Sequence, residues 1–200
     1  MRIFFDTETT GLPKNWREPP ENSSNWPHIV QIAWAQYDGA GAQTSFKSYI
    51  IRPEGFVIPP AAFRVHGIST ERAIREGALL LDVLGEFKTA VEGSKLLIAH
   101  NMDFDEKMVR AELSRKRMPD FLQGIGKLCT MKRTADFCAI PGPYGNKWPT
   151  LAELHRKLFG SDFEKQHDAG ADVLCCAKCY FELERRSFFR EPLKSVKVRC

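Results

Sequence analysis

The sequence predicts one α/β domain, a mixed central sheet flanked by helices, and three observations carry that prediction. Segments that read as strands come early in the chain, at residues 3–5, 29–35 and 46–51. A continuous apolar run, Leu96-Leu97-Ile98-Ala99, follows, as in a central strand covered on both faces. Segments on either side of that run place apolar residues at helical spacing. Strands first and a strand–helix alternation afterwards pack most simply as helices against one sheet. The 200 residues, 43% hydrophobic and 27% charged, suffice for one core and exclude a disordered chain.

Taken in order, Ile3-Phe4-Phe5 reads as a short buried strand ending at Asp6. Residues 13–28, rich in Pro and Asn, read as a long loop. The strands at 29–35 and 46–51 turn at Asp38-Gly39. Pro59-Pro60 opens a short helix that stops at Gly67, and Ser69 or Thr70 caps another. Leu80, Val83, Leu84, Phe87 and Val91 give the helix at 79–91 its buried side. Phe104, Met108, Val109 and Leu113 do the same for a helix at 103–117. Helices at 151–158 and 173–183 complete the domain, and no repeat or low-complexity segment interrupts it.

No run of 18 apolar residues is present, which argues against a membrane span. The start, Met1-Arg2-Ile3-Phe4-Phe5, lacks a signal-peptide core, so the expected location is cytoplasmic. A net charge of +4 is compatible with a nucleic-acid partner without demanding one. Of the six cysteines, Cys176 and Cys179 are CxxC-spaced, but no second pair completes a zinc site, and reduced thiols are expected.

The informative residues are acids set against apolar runs. Asp6 and Glu8 stand two apart at the end of the first strand, so both leave the same face. Asp105 lies early in the helix after the central strand, and Asp172 early in the last long helix. Buried carboxylates repel one another and lose hydration, so such a cluster requires cations. Oxygen-only ligands in excess negative charge suit Mg²⁺ or Mn²⁺, and a pair of such ions suits phosphodiester cleavage. Setting these four acids aside doubles the basic excess of the rest of the chain, which favours a phosphate backbone as partner. His167, five residues before Asp172, is placed to be a general base.

These residues also spell motifs. FDTETTGL (residues 5–12), AHNMDFD (99–105) and HDAGAD (167–172) together resemble the DEDDh 3′→5′ exonucleases, the ribonuclease H-like nucleases of the DnaQ type. The resemblance runs over residues 1–184, with 185–200 left as a basic tail. VHGI (65–68) and TLAEL (150–154) resemble lesser landmarks of the family. The closest general likeness is to epsilon proofreading subunits of bacterial DNA polymerase III and their stand-alone relatives.

The resemblance implies a ribonuclease H-like fold, with Asp6, Glu8, Asp105 and Asp172 as ligands of two divalent ions and His167 as general base. Glu8 would also touch the attacking water. Asp103 is then a helix N-terminal acid and not a ligand. The implied reaction is in-line attack of water on the terminal phosphodiester, releasing a nucleoside 5′-monophosphate from a single-stranded 3′ end. Thr9, Thr10, Gly11 and Leu12 would seat the 3′ nucleotide, Leu12 wedging beneath the base. Asn101 would approach the backbone, and Ile68 either packs on the nucleotide or belongs to the core.

Other features carry less. His100 is expected to support the site by hydrogen bonding, and His155 to be a core histidine. Trp16 and Trp26 either stack on bases or staple the loop to its own domain. Arg115-Lys116-Arg117 is a solvated helix end or a phosphate track, and the basic tail binds nucleic acid or a protein, or is a frayed terminus. The leading function is a 3′→5′ exonuclease on single strands, DNA before RNA. The alternatives are an RNA-trimming exonuclease resembling RNase T or oligoribonuclease, a proofreading subunit whose partner is a DNA polymerase or other replication or repair protein, and a binding module without catalysis.

Overall fold

The computed structural model describes residues 1–164 and 166–190. Of the basic tail, residues 191–200, with Lys194, Lys197, Arg199 and the terminal Cys200, lie outside the described residues.

The elements in chain order are β1 (Arg2–Thr9), β2 (Ile29–Tyr37), β3 (Gln43–Ile50), α1 (Pro60–His66), α2 (Thr70–Glu76), α3 (Leu80–Val91), β4 (Leu96–Ala99), α4 (Met102–Arg115), β5 (Gly126–Cys129), α5 (Thr130–Arg133), α6 (Ala135–Cys138), β6 (Pro141–Gly142), β7 (Gly145–Asn146), α7 (Leu151–Phe159) and α8 (Ala169–Arg185). The main sheet has the order β3-β2-β1-β4-β5. Its β1–β2 and β2–β3 pairs are antiparallel, whereas β1–β4 and β4–β5 are parallel. β6 and β7 form a separate small hairpin.

Side chains alternate across β1, and each face finds its own helices. Ile3 and Phe5 pack with Trp34 of β2, with Leu84 and Phe87 of α3 and with Met108 and Val109 of α4. Phe4 points the other way, into Ala33, Ala35, Ile98 and the α8 residues Val173, Cys176, Ala177 and Tyr180. Here α8 sits tightly on the sheet: a Cβ on Gly170 would lie 3.2 Å from the Phe46 ring and 3.3 Å from the Ser48 hydroxyl. Cys175 and Cys179 are buried with α7 in a third cluster, which Phe188 also joins, while Phe189 stacks on Tyr180 at 4.8 Å.

Several expectations are corrected. β1 does not end at Asp6; antiparallel pairing with β2 carries it to Thr9, because main-chain hydrogen bonds do not require apolar side chains. α8 begins at Ala169 and not Val173, because the Asp168 side chain caps it by accepting from the Ala171 N–H at 3.0 Å. β5 and the β6–β7 hairpin carry no apolar run and escaped the sequence reading.

Candidate active site

The site lies where β1 meets the N-terminal ends of α4 and α8. Glu8 pairs with Gln31 in β2, and the register then slips between Glu8 and Thr9, so that Thr9 pairs with Ile29. A bulge of this kind ends the ladder and re-aims the residues beside it. Beyond it, the Thr10 N–H donates to the His28 carbonyl at 2.9 Å, and the Thr10 hydroxyl accepts from the His28 N–H at 2.9 Å. The Thr9 hydroxyl donates to the Gly11 carbonyl at 2.7 Å. Gly11 has φ of 149°, a conformation that costs glycine little. The turn is thus pinned through its threonines, and it holds Leu12 73% exposed.

Asp6 and Glu8 leave β1 on the α8 side. Asp105 arrives from the first turn of α4, buried at 2% exposure, and its Oδ1 accepts from the Thr7 N–H at 3.0 Å and the Thr7 hydroxyl at 2.8 Å. Asp172 stands in the first turn of α8, where its Oδ2 accepts from the His167 N–H at 3.1 Å. Ligand atoms of Glu8, His167 and Asp172 lie within 4.8 Å of one another. His167 is exposed and adopts φ of 65°; Asn101, just before α4, adopts φ of 135°. Two non-glycine residues in left-handed conformations therefore flank the acids, a pattern common where a fold positions functional groups.

Nothing among the described residues balances these charges. Among the described residues, no lysine or arginine forms an ion pair with Asp6, Glu8, Asp105 or Asp172. Burial, followed by repulsion from Asp105, Asp172, Glu8 and Asp168, holds Asp6 well above the usual carboxylate range. Burial and then Asp172, Asp105 and Asp168 push Glu8 to about 8. Asp105 is raised to about 7 by burial, against the opposing Thr7 hydrogen bonds, and Asp172 is raised to about 7, again chiefly by burial. Carboxylates in this state are a cation site by chemistry: hard oxygen donors with surplus negative charge fit a divalent ion such as Mg²⁺ or Mn²⁺.

Two of the surrounding residues were expected and two were not. His100 is half-buried, with Nδ1 2.9 Å from the Thr130 hydroxyl and Nε2 3.0 Å from the Pro149 carbonyl; desolvation pulls it down to about 4, so it is a neutral strut. His155 is 3% exposed and hydrogen-bonds the Ser161 carbonyl through Nδ1 at 2.7 Å. Gln31 escaped the sequence reading. Its Nε2 donates to Asp168 Oδ2 at 3.2 Å and its Oε1 accepts from the Ala169 N–H at 3.1 Å, fixing the start of α8 to β2. The signal was a glutamine amid the apolar run at 29–35. Asp168 also escaped; it caps α8 and adds to the charge on Asp6, Glu8 and Asp172.

Other assignments change. Ile68 is 2% exposed and packs with Val30, Ile58, Ala62 and Ala73, so it is a core residue that offers no surface to a nucleotide. Its neighbour His66 accepts from the Ile68 N–H through Nδ1 at 3.1 Å and is lowered by burial, with His167 adding to the lowering. Arg115 is neither solvated nor a phosphate track: it reaches Glu112 at 2.8 Å and donates to the carbonyls of Pro27, Ser23 and Trp26. Trp26, 3% exposed, staples the 13–28 loop, whereas Trp16, 46% exposed, leans on Phe104 at 5.8 Å between ring centroids.

The chain is similar to known proteins in sequence and in fold. The RNase T exonuclease family profile matches residues 3–180. The epsilon subunit of DNA polymerase III from Rickettsia conorii is 29% identical over 98% of this chain and 80% of its own length, and that from Rickettsia felis is equally similar. The zinc-bound complex of E. coli exonuclease I with single-stranded DNA superposes with a TM-score of 0.75 at 17% identity, over 94% of this chain and 42% of its own. The chain therefore spans less than half the length of exonuclease I. Among the described residues, no helix is long and apolar enough to cross a membrane.

Proposed function

The chain belongs to the RNase T exonuclease family, and from that membership we propose that it is a 3′→5′ exonuclease releasing nucleoside 5′-monophosphates from single-stranded 3′ ends, DNA in preference to RNA. One observation carries the reading: four carboxylates from β1, α4 and α8 converge, with no lysine or arginine paired to them among the described residues, beside an exposed histidine. Residues 1–184 carry the activity.

Enzymes of this family generally use divalent metal ions. Asp6, Glu8, Asp105 and Asp172 would hold two Mg²⁺ or Mn²⁺ ions, which when bound make water more acidic and neutralise charge developing on the phosphate. His167, with its ring beside Glu8 and Asp172 and open to solvent, accepts the proton of the attacking water. The hydrogen bond from the His167 N–H to Asp172 fixes proton acceptor and ligand relative to each other. The Thr9–Leu12 turn receives the terminal nucleotide, with Leu12 beneath the base, and Asn101 faces the backbone from the start of α4.

A second reading, a proofreading subunit with a DNA polymerase as partner, is favoured by the epsilon relatives, 80% of whose length this chain covers. Co-purification with a polymerase separates it from a stand-alone enzyme. The primary test incubates 5′-labelled single-stranded DNA and RNA of one sequence with Mg²⁺, Mn²⁺ or EDTA. The expected result is a metal-dependent ladder shortening from the 3′ end, faster on DNA. Intact oligonucleotides under every metal would overturn the proposal.

A further inference from the structure

A second exposed aromatic feature stands beside the first turn of α4. Trp148 follows the β6–β7 hairpin, three residues before α7 begins at Leu151, and is 58% exposed; Tyr144, in the hairpin turn, is fully exposed. The Lys132 ammonium lies 5.4 Å from the centre of the Trp148 ring and also pairs with Asp103. That contact links the indole to the first turn of α4, two residues from Asp105. A second tether comes from Pro149, whose carbonyl hydrogen-bonds His100, the residue before Asn101. Both links tie the exposed ring to the rim of the carboxylate site.

A large aromatic face left open to water under a cation matches a particular ligand. A single strand alternates flat, sequence-tolerant π-faces with phosphates, and an indole beside an ammonium answers both. The net charge of +4 favours that polyanion over a protein partner as the occupant.

We propose that Trp148 and Lys132 form a stacking platform for a base upstream of the 3′-terminal nucleotide, Lys132 exchanging Asp103 for the adjoining phosphate. The proposal rests on the exonuclease reading for its direction along the strand, but binding tests it independently of cleavage.

The test is fluorescence anisotropy of a 5′-labelled single-stranded DNA of roughly 12 nucleotides in EDTA, with wild type, Trp148→Ala, Trp148→Phe and Lys132→Ala. Matching circular dichroism and melting curves establish that each variant is folded. Trp148→Ala is expected to raise Kd about tenfold and Trp148→Phe to restore most of the loss, because any aromatic face stacks. Lys132→Ala should flatten the salt dependence by about one phosphate contact. With Mg²⁺, the rate on the oligonucleotide relative to that on p-nitrophenyl thymidine 5′-phosphate should fall in Trp148→Ala. An unchanged Kd in Trp148→Ala would overturn the platform and leave the surface to a protein partner. A parallel loss on both substrates would overturn it too, by locating the effect at the reacting phosphate. Tight binding that depends on Trp148, without cleavage under any metal, would uphold the platform while sinking the exonuclease reading.

Discussion

Helix α4 buries two carboxylates two turns apart, and the protein treats them in opposite ways. Glu112 is 1% exposed and is closed from every side: Arg115 at 2.8 Å, His28 Nδ1 at 3.3 Å, and the Ile29 N–H at 3.1 Å. Its partners in turn hold the loop, since Arg115 binds the carbonyls of Ser23, Trp26 and Pro27, and His28 stacks flat on Phe56 at 4.1 Å. Asp105, 2% exposed, accepts only neutral donors from Thr7 and faces Asp6, Glu8 and Asp172. Burial of an acid therefore says little by itself. The acid whose charge the chain answers is a structural anchor, and the acid left unanswered is available to an external cation.

Substitutions at the two positions should separate these roles. The largest effect is expected for Asp105→Asn, which keeps the acceptor for Thr7 but removes the charge. Nuclease activity should fall at least about 10⁴-fold, as for groups that act as a unit, while the metal-free protein becomes more stable in thermal melts. Equal activity would break the comparison at once. Next, His167→Gln should lower kcat about 10³-fold, within the span of general-base effects, with metal binding by titration retained. Loss of metal binding instead would make His167 a ligand rather than a proton acceptor.

At the other carboxylate the sign reverses. Glu112→Gln leaves the half-buried Arg115 guanidinium without its carboxylate and should cost about 3 kcal/mol in urea unfolding, while the folded fraction stays active. A neutral result would mean that Arg115 holds the loop through carbonyls alone. The smallest effect is the pH dependence of the metal-free protein. Asp6, Glu8, Asp105 and Asp172 are all raised in the folded state, so the folded chain binds protons more tightly than the unfolded one. Their contribution is complete below about pH 4, the unfolded value, and is lost as pH rises toward about 8. Melting in EDTA should therefore fall across that window more steeply for wild type than for Asp105→Asn. Parallel curves would argue that Asp105 is not strained by its charge.

Much of the fold and of the site is legible in the amino-acid order alone. β4 is a four-residue apolar run, and the core face of α3 repeats at helical spacing, so one-dimensional patterns suffice for both. The four acids stand out because each follows or opens an apolar element, and the spacing of the motifs then joins them. What stays hidden depends on long-range partners. Glu112 meets the Ile29 N–H across 83 positions, and Gln31 meets Ala169 across 138, distances over which no local pattern reports. The same reason explains Arg115, whose place at a helix end suggests solvent until the loop folds over it. β5, Gly126-Lys127-Leu128-Cys129, is recognisable only through its parallel pairing with β4. Ile68 could be read either way from its neighbours, and only packing against Val30 and Ala73 decides for the core.

The measurement closest to the central claim is thermal melting at pH 8 of wild type and Asp105→Asn, each in EDTA and in rising Mn²⁺. If the acids at β1, α4 and α8 are held for divalent ions, wild type gains several degrees as Mn²⁺ saturates the site, and Asp105→Asn, stable already, gains little. No gain in wild type, or the same gain in both proteins, would contradict the account.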